Sequence, residues 1–219
     1  MNARIATQQL ASTVLQWGIR HNILPNVHLA LAHNAAWHIE REHLRCYSAL
    51  ADACDRNYLD IIAVLITHYG PTIHTNQRPG GGYCHVNQLE VAIRCNNLAR
   101  TTLLLEGGAA ANRTIWYGYK GTDKTPIGLA AMYGSAEIAE VLIKHGAKVQ
   151  FADRSLCYAV DSGRWDVAKV LLREGLSLWE NLFEWSEHCP LGERTAEEIE
   201  AWVVSGAAYM LQDSEEASK

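Results

Sequence analysis

The residues best suited to chemistry in this chain are ten histidines and six cysteines. Eight of the histidines occur by residue 85, so the first half supplies most of the candidate bases and metal ligands. His33, His38 and His43 are five residues apart, which does not align them on one helix face; ligands sharing a helix need a spacing of four. His74, Cys84 and His85 share a glycine-rich stretch and could supply part of a zinc site, but they lack the tight paired spacing of structural zinc. Gly80-Gly81-Gly82 is not followed by the Lys-Ser/Thr of a phosphate loop. Cysteine–histidine pairs can be drawn in many ways, none with a recognisable local context. These residues therefore predict no catalytic set, no metal and no cofactor, and the chain is expected not to be an enzyme. A net charge of −5 and a pI near 6.0 also lack the footprint of a nucleic-acid binder.

The elements that must carry these side chains repeat along the chain. Thr125-Pro126-Ile127-Gly128-Leu129-Ala130-Ala131-Met132-Tyr133-Gly134 reads as a short helix with a glycine break. Ile138, Ala139, Val141, Leu142 and Ile143 then mark a second helix, stopped at Gly146. The same frame recurs from Leu156 to Gly175, from Leu89 to Ala109, from Leu50 to Gly70 and from Leu15 to Ala35. The anchors Leu15, Leu50, Leu89, Ile127 and Leu156 are separated by 35, 39, 38 and 29 residues. Breaks between the paired helices fall at Asn22, Asn57, Asn96, Gly134 and Gly163, residue types that enter the left-handed region cheaply. Gly18, Ala53, Ala92, Ala130 and Ala159 allow close helix approach, in keeping with 29 alanines and only two phenylalanines overall.

This frame resembles the ankyrin repeat, whose signature is T-P-L-H-x-A on a period near 33 residues. The resemblance covers residues 13–176 as five repeats. It implies an all-α fold: an ankyrin-repeat solenoid of stacked helix-turn-helix units with projecting finger loops. Only the fourth unit has Thr-Pro, and the signature His is replaced by Gln16, Ala51, Glu90, Gly128 and Cys157. Residues 1–12 are read as an N-terminal leading helix or cap. Residues 177–211 are read as a degenerate sixth repeat and C-terminal cap, its last helix opened by the capping box Thr195-Ala-Glu-Glu198. Residues 212–219 are read as a frayed acidic tail. Asn112 stands where family members can be hydroxylated, although hydrogen bonding within its finger is the simpler role.

Recognition of another protein is what the resemblance implies, on a concave face built from fingers and first helices. The pair before each helix break supplies candidates: Arg20 and His21, Arg56, Arg94, and Met132 with Tyr133. The long fingers 70–87 and 110–124 add Trp116, Tyr117 and Tyr119 as aromatic anchors. Arginine grips carboxylates with a planar fork, so the expected partner carries an acidic or extended segment. A substrate-recruiting adaptor or targeting segment of a larger assembly, such as a ubiquitin-ligase receptor, is the alternative. From Glu174 onward eleven acids face two bases, a net of −9, which leaves about +4 on residues 1–173. The acidic C-terminal segment is thus a candidate competitor for an acidic partner. Ile61–Ile66, the longest nearly apolar stretch, is far short of a membrane span, and the first residues show no apolar secretory stretch. Membrane association is not expected. The expectation is a monomer with reduced cysteines, cytoplasmic or nuclear.

Overall fold

A computed structural model describes residues 2–36, 38–39, 47–71, 87–112, 125–149 and 155–175. Its helices are α1 (Asn2–Arg20), α2 (Leu24–Ala32), α3 (Ala49–Asp55), α4 (Leu59–Tyr69), α5 (Gln88–Arg94), α6 (Leu98–Glu106), α7 (Pro126–Tyr133), α8 (Ala136–Lys144), α9 (Ser155–Asp161) and α10 (Trp165–Arg173). The one ladder among the described residues is β1 (His38–Ile39) paired antiparallel with β2 (Tyr47–Ser48), with His38 opposite Ser48. It closes the base of the finger between α2 and α3, and the fold class remains all-α. No described helix is long and apolar enough to cross a membrane.

Two compact units divide the chain: residues 1–92 with 97–110, and residues 93–96 with 111–219. In the first, α1 packs on α2 and α3, α2 on α4, α3 on α4, and α4 on α6. In the second, α7 packs on α8 and α9, α8 on α10, and α9 on α10. Within each unit, then, first helices meet first helices and second helices meet second helices, the nearest-neighbour stacking of a repeat solenoid. The buried residues are the repeating anchors: Leu15, Leu50, Leu89, Ile127 and Leu156 from first helices, and Leu31, Leu65, Leu104, Leu142 and Leu171 from second helices. Gly18, Ala53, Ala92, Ala130 and Ala159 are all buried. A Cβ on Gly18 would sit 3.2 Å from both Asn26 and Val27, so the tightest approach it permits is to α2 of its own repeat.

Local caps replace the missing signature residues. Thr125 Oγ1 accepts from Gly128 N at 3.2 Å, with Pro126 following at the first helical position. In the same frame Ser48 Oγ accepts from Ala51 N at 3.0 Å, and Asn87 Oδ1 accepts from Leu89 N at 3.0 Å. At the other ends Asn22, Asn57, Asn96 and Gly163 have φ of 55°, 57°, 49° and 66°. Each is followed by a backbone N–H that donates five residues back: Ile23 to Gly18, Tyr58 to Ala53, Asn97 to Ala92 and Arg164 to Ala159. Gly134 is the exception to the expected left-handed break. Its φ is −83°, and its N–H donates four residues back to Ala130 at 2.9 Å. Glycine is needed there for space, because a Cβ would lie 2.8 Å from Ala130 Cα.

Residues 2–12, read as an N-terminal leading helix or cap, are helical and share one helix with the start of the first repeat. α1 runs unbroken from Asn2 to Arg20, with no proline or glycine before Gly18 to interrupt it. The proposed cap 177–211, the tail 212–219 and most of both long fingers lie outside the described residues.

Candidate functional site

Of the expected recognition residues, Arg20, His21, Arg56, Arg94, Met132 and Tyr133 sit where first helices end. Arg20 and His21 close α1, and both are exposed. His21 rests on Trp17 with ring centroids 4.6 Å apart. Arg56 follows α3 and lies 3.7 Å from Asp52, one turn earlier. Arg56 is exposed and Asp52 half-buried, and a pair of this kind one helical turn apart contributes about 0.5 kcal/mol. Partial burial and, after it in size, the neighbouring Asp52 push the Asp55 pKa up, against the pull of Arg100 and Arg56.

In the second unit the ends of α5 and α7 meet. The Arg94 guanidinium carbon lies 5.1 Å from the centroid of the Tyr133 ring. That distance is within the range of a cation–π contact, worth about 0.5–1 kcal/mol when exposed. Met132 and Tyr133 are half-buried, whereas Arg94 and Cys95 are exposed. The structure thus brings Arg94 and Tyr133 together. Trp116, Tyr117 and Tyr119 lie outside the described residues, as do His74, Cys84 and His85 of the weighed zinc site. Among the described residues no group of three or more His, Cys, Asp or Glu side chains could hold a metal ion.

Several contacts that organise this surface were not singled out by sequence pattern. Arg100 of α6 is 6% exposed, and its Nη1 donates to the carbonyl of Cys54 at the end of α3. Its Nε has no acceptor among the described residues. The repeat frame held the signal: Arg100 stands where Val27, Ile61, Ile138 and Val167 fill the core of the other repeats. Beside it, Asn97 Oδ1 caps α6 by accepting from Arg100 N at 3.0 Å, while its Nδ2 donates to Asn57 Oδ1 at 2.9 Å. Arg164 donates through Nε to the Met132 carbonyl at 3.0 Å and through Nη1 to the Gly134 carbonyl. It thereby holds the α7 end that has no left-handed cap.

Two other side chains tie neighbouring loops together. Tyr69, the extra residue of the second repeat, donates to the Ala35 carbonyl at 2.5 Å, and burial pushes its phenol up to about 12. Asn112 reaches beyond its own finger: Nδ2 donates to Gly146 O at 2.6 Å, and Oδ1 accepts from Lys148 N at 2.7 Å. It therefore bridges to the next finger, where the expectation was bonding within its own. Burial raises the Cys54 thiol to about 12, which leaves it a protonated core residue.

Comparison with known proteins agrees with this architecture. The family model described as "Ankyrin repeats (3 copies)" matches residues 85–181. A search of curated proteins found no match. The matched segment takes in α5 to α10, and α1 to α4 upstream form helix pairs with the same anchors, breaks and packing. The ankyrin family is thus matched over residues 85–181, as three repeats, and the described helices stack within each unit in the manner of an ankyrin-repeat solenoid.

Proposed function

We propose that this protein binds another protein through the ends of its first helices and the adjoining fingers, without catalysis. Ankyrin repeats are generally protein–protein interaction modules, which supports the broad reading. The observation that carries the finer one is the pair Arg94–Tyr133. It holds a guanidinium and an aromatic ring in place before any partner arrives, beside the half-buried Met132. Preorganised side chains of these types lose little entropy on binding and are enriched among energetic anchors. Arg20, His21 and Arg56 extend the basic character, and Trp116, Tyr117 and Tyr119 are proposed as anchors of the adjoining finger. The partner is a protein with an acidic or extended segment, met by a monomer in the cytoplasm or nucleus.

The test is affinity purification with mass spectrometry from the source cells, run with two variants beside the wild type. One combines Arg20→Ala, Arg56→Ala, Arg94→Ala and Tyr133→Ala; the other combines Trp116→Ala, Tyr117→Ala and Tyr119→Ala. Loss of a stoichiometric partner by about tenfold or more, with circular dichroism unchanged, is the expected result for the first variant. Unchanged recovery with both variants would show that the partner sits elsewhere.

A further inference from the structure

The first repeat leaves apolar side chains in water at places that later repeats cover. Trp17 stands two residues after the anchor Leu15 and is 49% exposed. That place holds Asp52 in the second repeat, Val91 in the third and Tyr158 in the fifth, all half-buried. Leu29 stands seven residues after the break at Asn22 and is 54% exposed. In its place Val64 and Leu103 are half-buried and Val170 is buried. Those repeats have a helix pair stacked ahead of them in their own unit: α3 and α4 pack on α1 and α2, α4 also packs on α6, and α9 and α10 pack on α7 and α8. Among the described residues, α1 and α2 have no such pair ahead of them. Leu10, two turns before Trp17 on α1, is 66% exposed. The end of a repeat array needs a polar outer face to be soluble by itself. A face carrying Leu10, Trp17 and Leu29 is instead suited to being covered.

Two observations say what covers it. The face continues the stacking surface of the repeats, and what lies on that surface elsewhere in the chain is helical. Its charge is of one sign: residues 1–39 contain no Asp or Glu, while Arg20, His21, His28 and His33 are exposed. The His21 ring lies 4.6 Å from that of Trp17, so cationic and apolar groups adjoin. A second copy placed face to face would set these groups against their own kind, whereas carboxylates would complement them. We infer that the exposed face of α1 and α2 docks an acidic amphipathic helix of a partner protein. Its apolar stripe covers Leu10, Trp17 and Leu29, and its flanking carboxylates meet Arg20 and His21. The stripe supplies the contact and the charges fix its direction. Arg20 and His21 are shared with the recognition face proposed above, but Leu10, Trp17 and Leu29 are not, and Arg94 and Tyr133 have no part in the contact.

The experiment places the photoreactive residue p-benzoylphenylalanine at the exposed position of Leu10, in the full chain expressed in the source cells. Irradiation followed by peptide mass spectrometry reads what lies on the face. The expected product joins position 10 to one peptide of another protein, in which apolar residues recur at intervals of three and four among Asp and Glu. Its yield should fall about fivefold or more in the variant Trp17→Ser with Leu29→Ser, with circular dichroism unchanged because both side chains are exposed. Arg94→Ala with Tyr133→Ala should leave the yield unchanged, even if that variant loses the partner of the other face. The identified peptide, synthesised and labelled, should bind the wild-type chain, and its Kd should rise about threefold or more in about 0.5 M salt. Products with this chain itself or a second copy, products scattered over many proteins, or attachment to lipid would each overturn the inference. So would a peptide without carboxylates, a yield indifferent to the Trp17 and Leu29 changes, or a yield lost with Arg94 and Tyr133.

Discussion

Arg100 is the residue that departs furthest from its own repeat. It is almost wholly buried with one donated bond to the Cys54 carbonyl, in a position that four other repeats fill with valine or isoleucine. Burying a guanidinium costs several kcal/mol, offset in part by that bond and by attraction to the nearby Asp55 carboxylate. An apolar side chain of similar length should therefore do at least as well, whereas truncation should leave a hole. Arg100→Met is expected to match or exceed wild-type stability, and Arg100→Ala to lose about 2–4 kcal/mol, both read from urea unfolding. Asp55 sits in the same corner, with its pKa raised by partial burial and by Asp52. A carboxyl raised in the folded state binds its proton more tightly there than in the unfolded chain. Its contribution to stability is thus best below the ordinary carboxylate pKa, falls as pH rises through the raised value, and is level above it. Asp55→Asn should be more stable than wild type near neutral pH, with the gap closing towards about pH 4. A series of urea midpoints against pH checks this.

At the scale of elements, helix ends are held by two devices. Most first helices close with Asn or Gly at positive φ and a five-residue backbone bond, a solution local to each repeat. α7 lacks this closure because Gly134 takes an extended conformation against Ala130. Its terminal carbonyls are met instead by Arg164 of the next repeat. The clamp uses two different nitrogens of one planar fork, which a lysine ammonium cannot reproduce. Arg164→Ala is expected to cost about 1–3 kcal/mol, and Arg164→Lys to recover less than half of that, by thermal or urea unfolding. The same turn presents Met132 and Tyr133, so loss of the clamp should also weaken partner recovery.

For the whole molecule, stability follows from neighbours packing on neighbours within two compact units. Ile138 is fully buried in α8 of the second unit. Ile138→Ala should destabilise by about 2–5 kcal/mol. Amide hydrogen exchange should then quicken in α7 to α10 well before α1 to α4, because nearest-neighbour coupling confines the damage. Uniform acceleration along the chain would instead indicate one cooperative block. The charge division along the sequence belongs to this scale too, since it separates a basic array from an acidic C-terminal segment.

The sequence by itself determined the repeat. Anchors, small residues and breaks at Asn22, Asn57, Asn96 and Gly163 are one-residue decisions set by side-chain size and backbone freedom, so they are legible without coordinates. Absent Thr-Pro signatures were equally local, since Ser48 and Asn87 supply the same cap. Tertiary structure decided the contacts between repeats: Arg94 over Tyr133, Arg164 on the end of α7, Asn112 bridging to the next finger, and Arg100 inside the core. Each joins residues about 30 to 50 positions apart through a long side chain whose direction depends on its neighbours, and periodicity carries no record of that direction. Gly134 shows the boundary between the two. Its identity was readable as a break, but its reason is a 2.8 Å approach to Ala130 that only packing reveals.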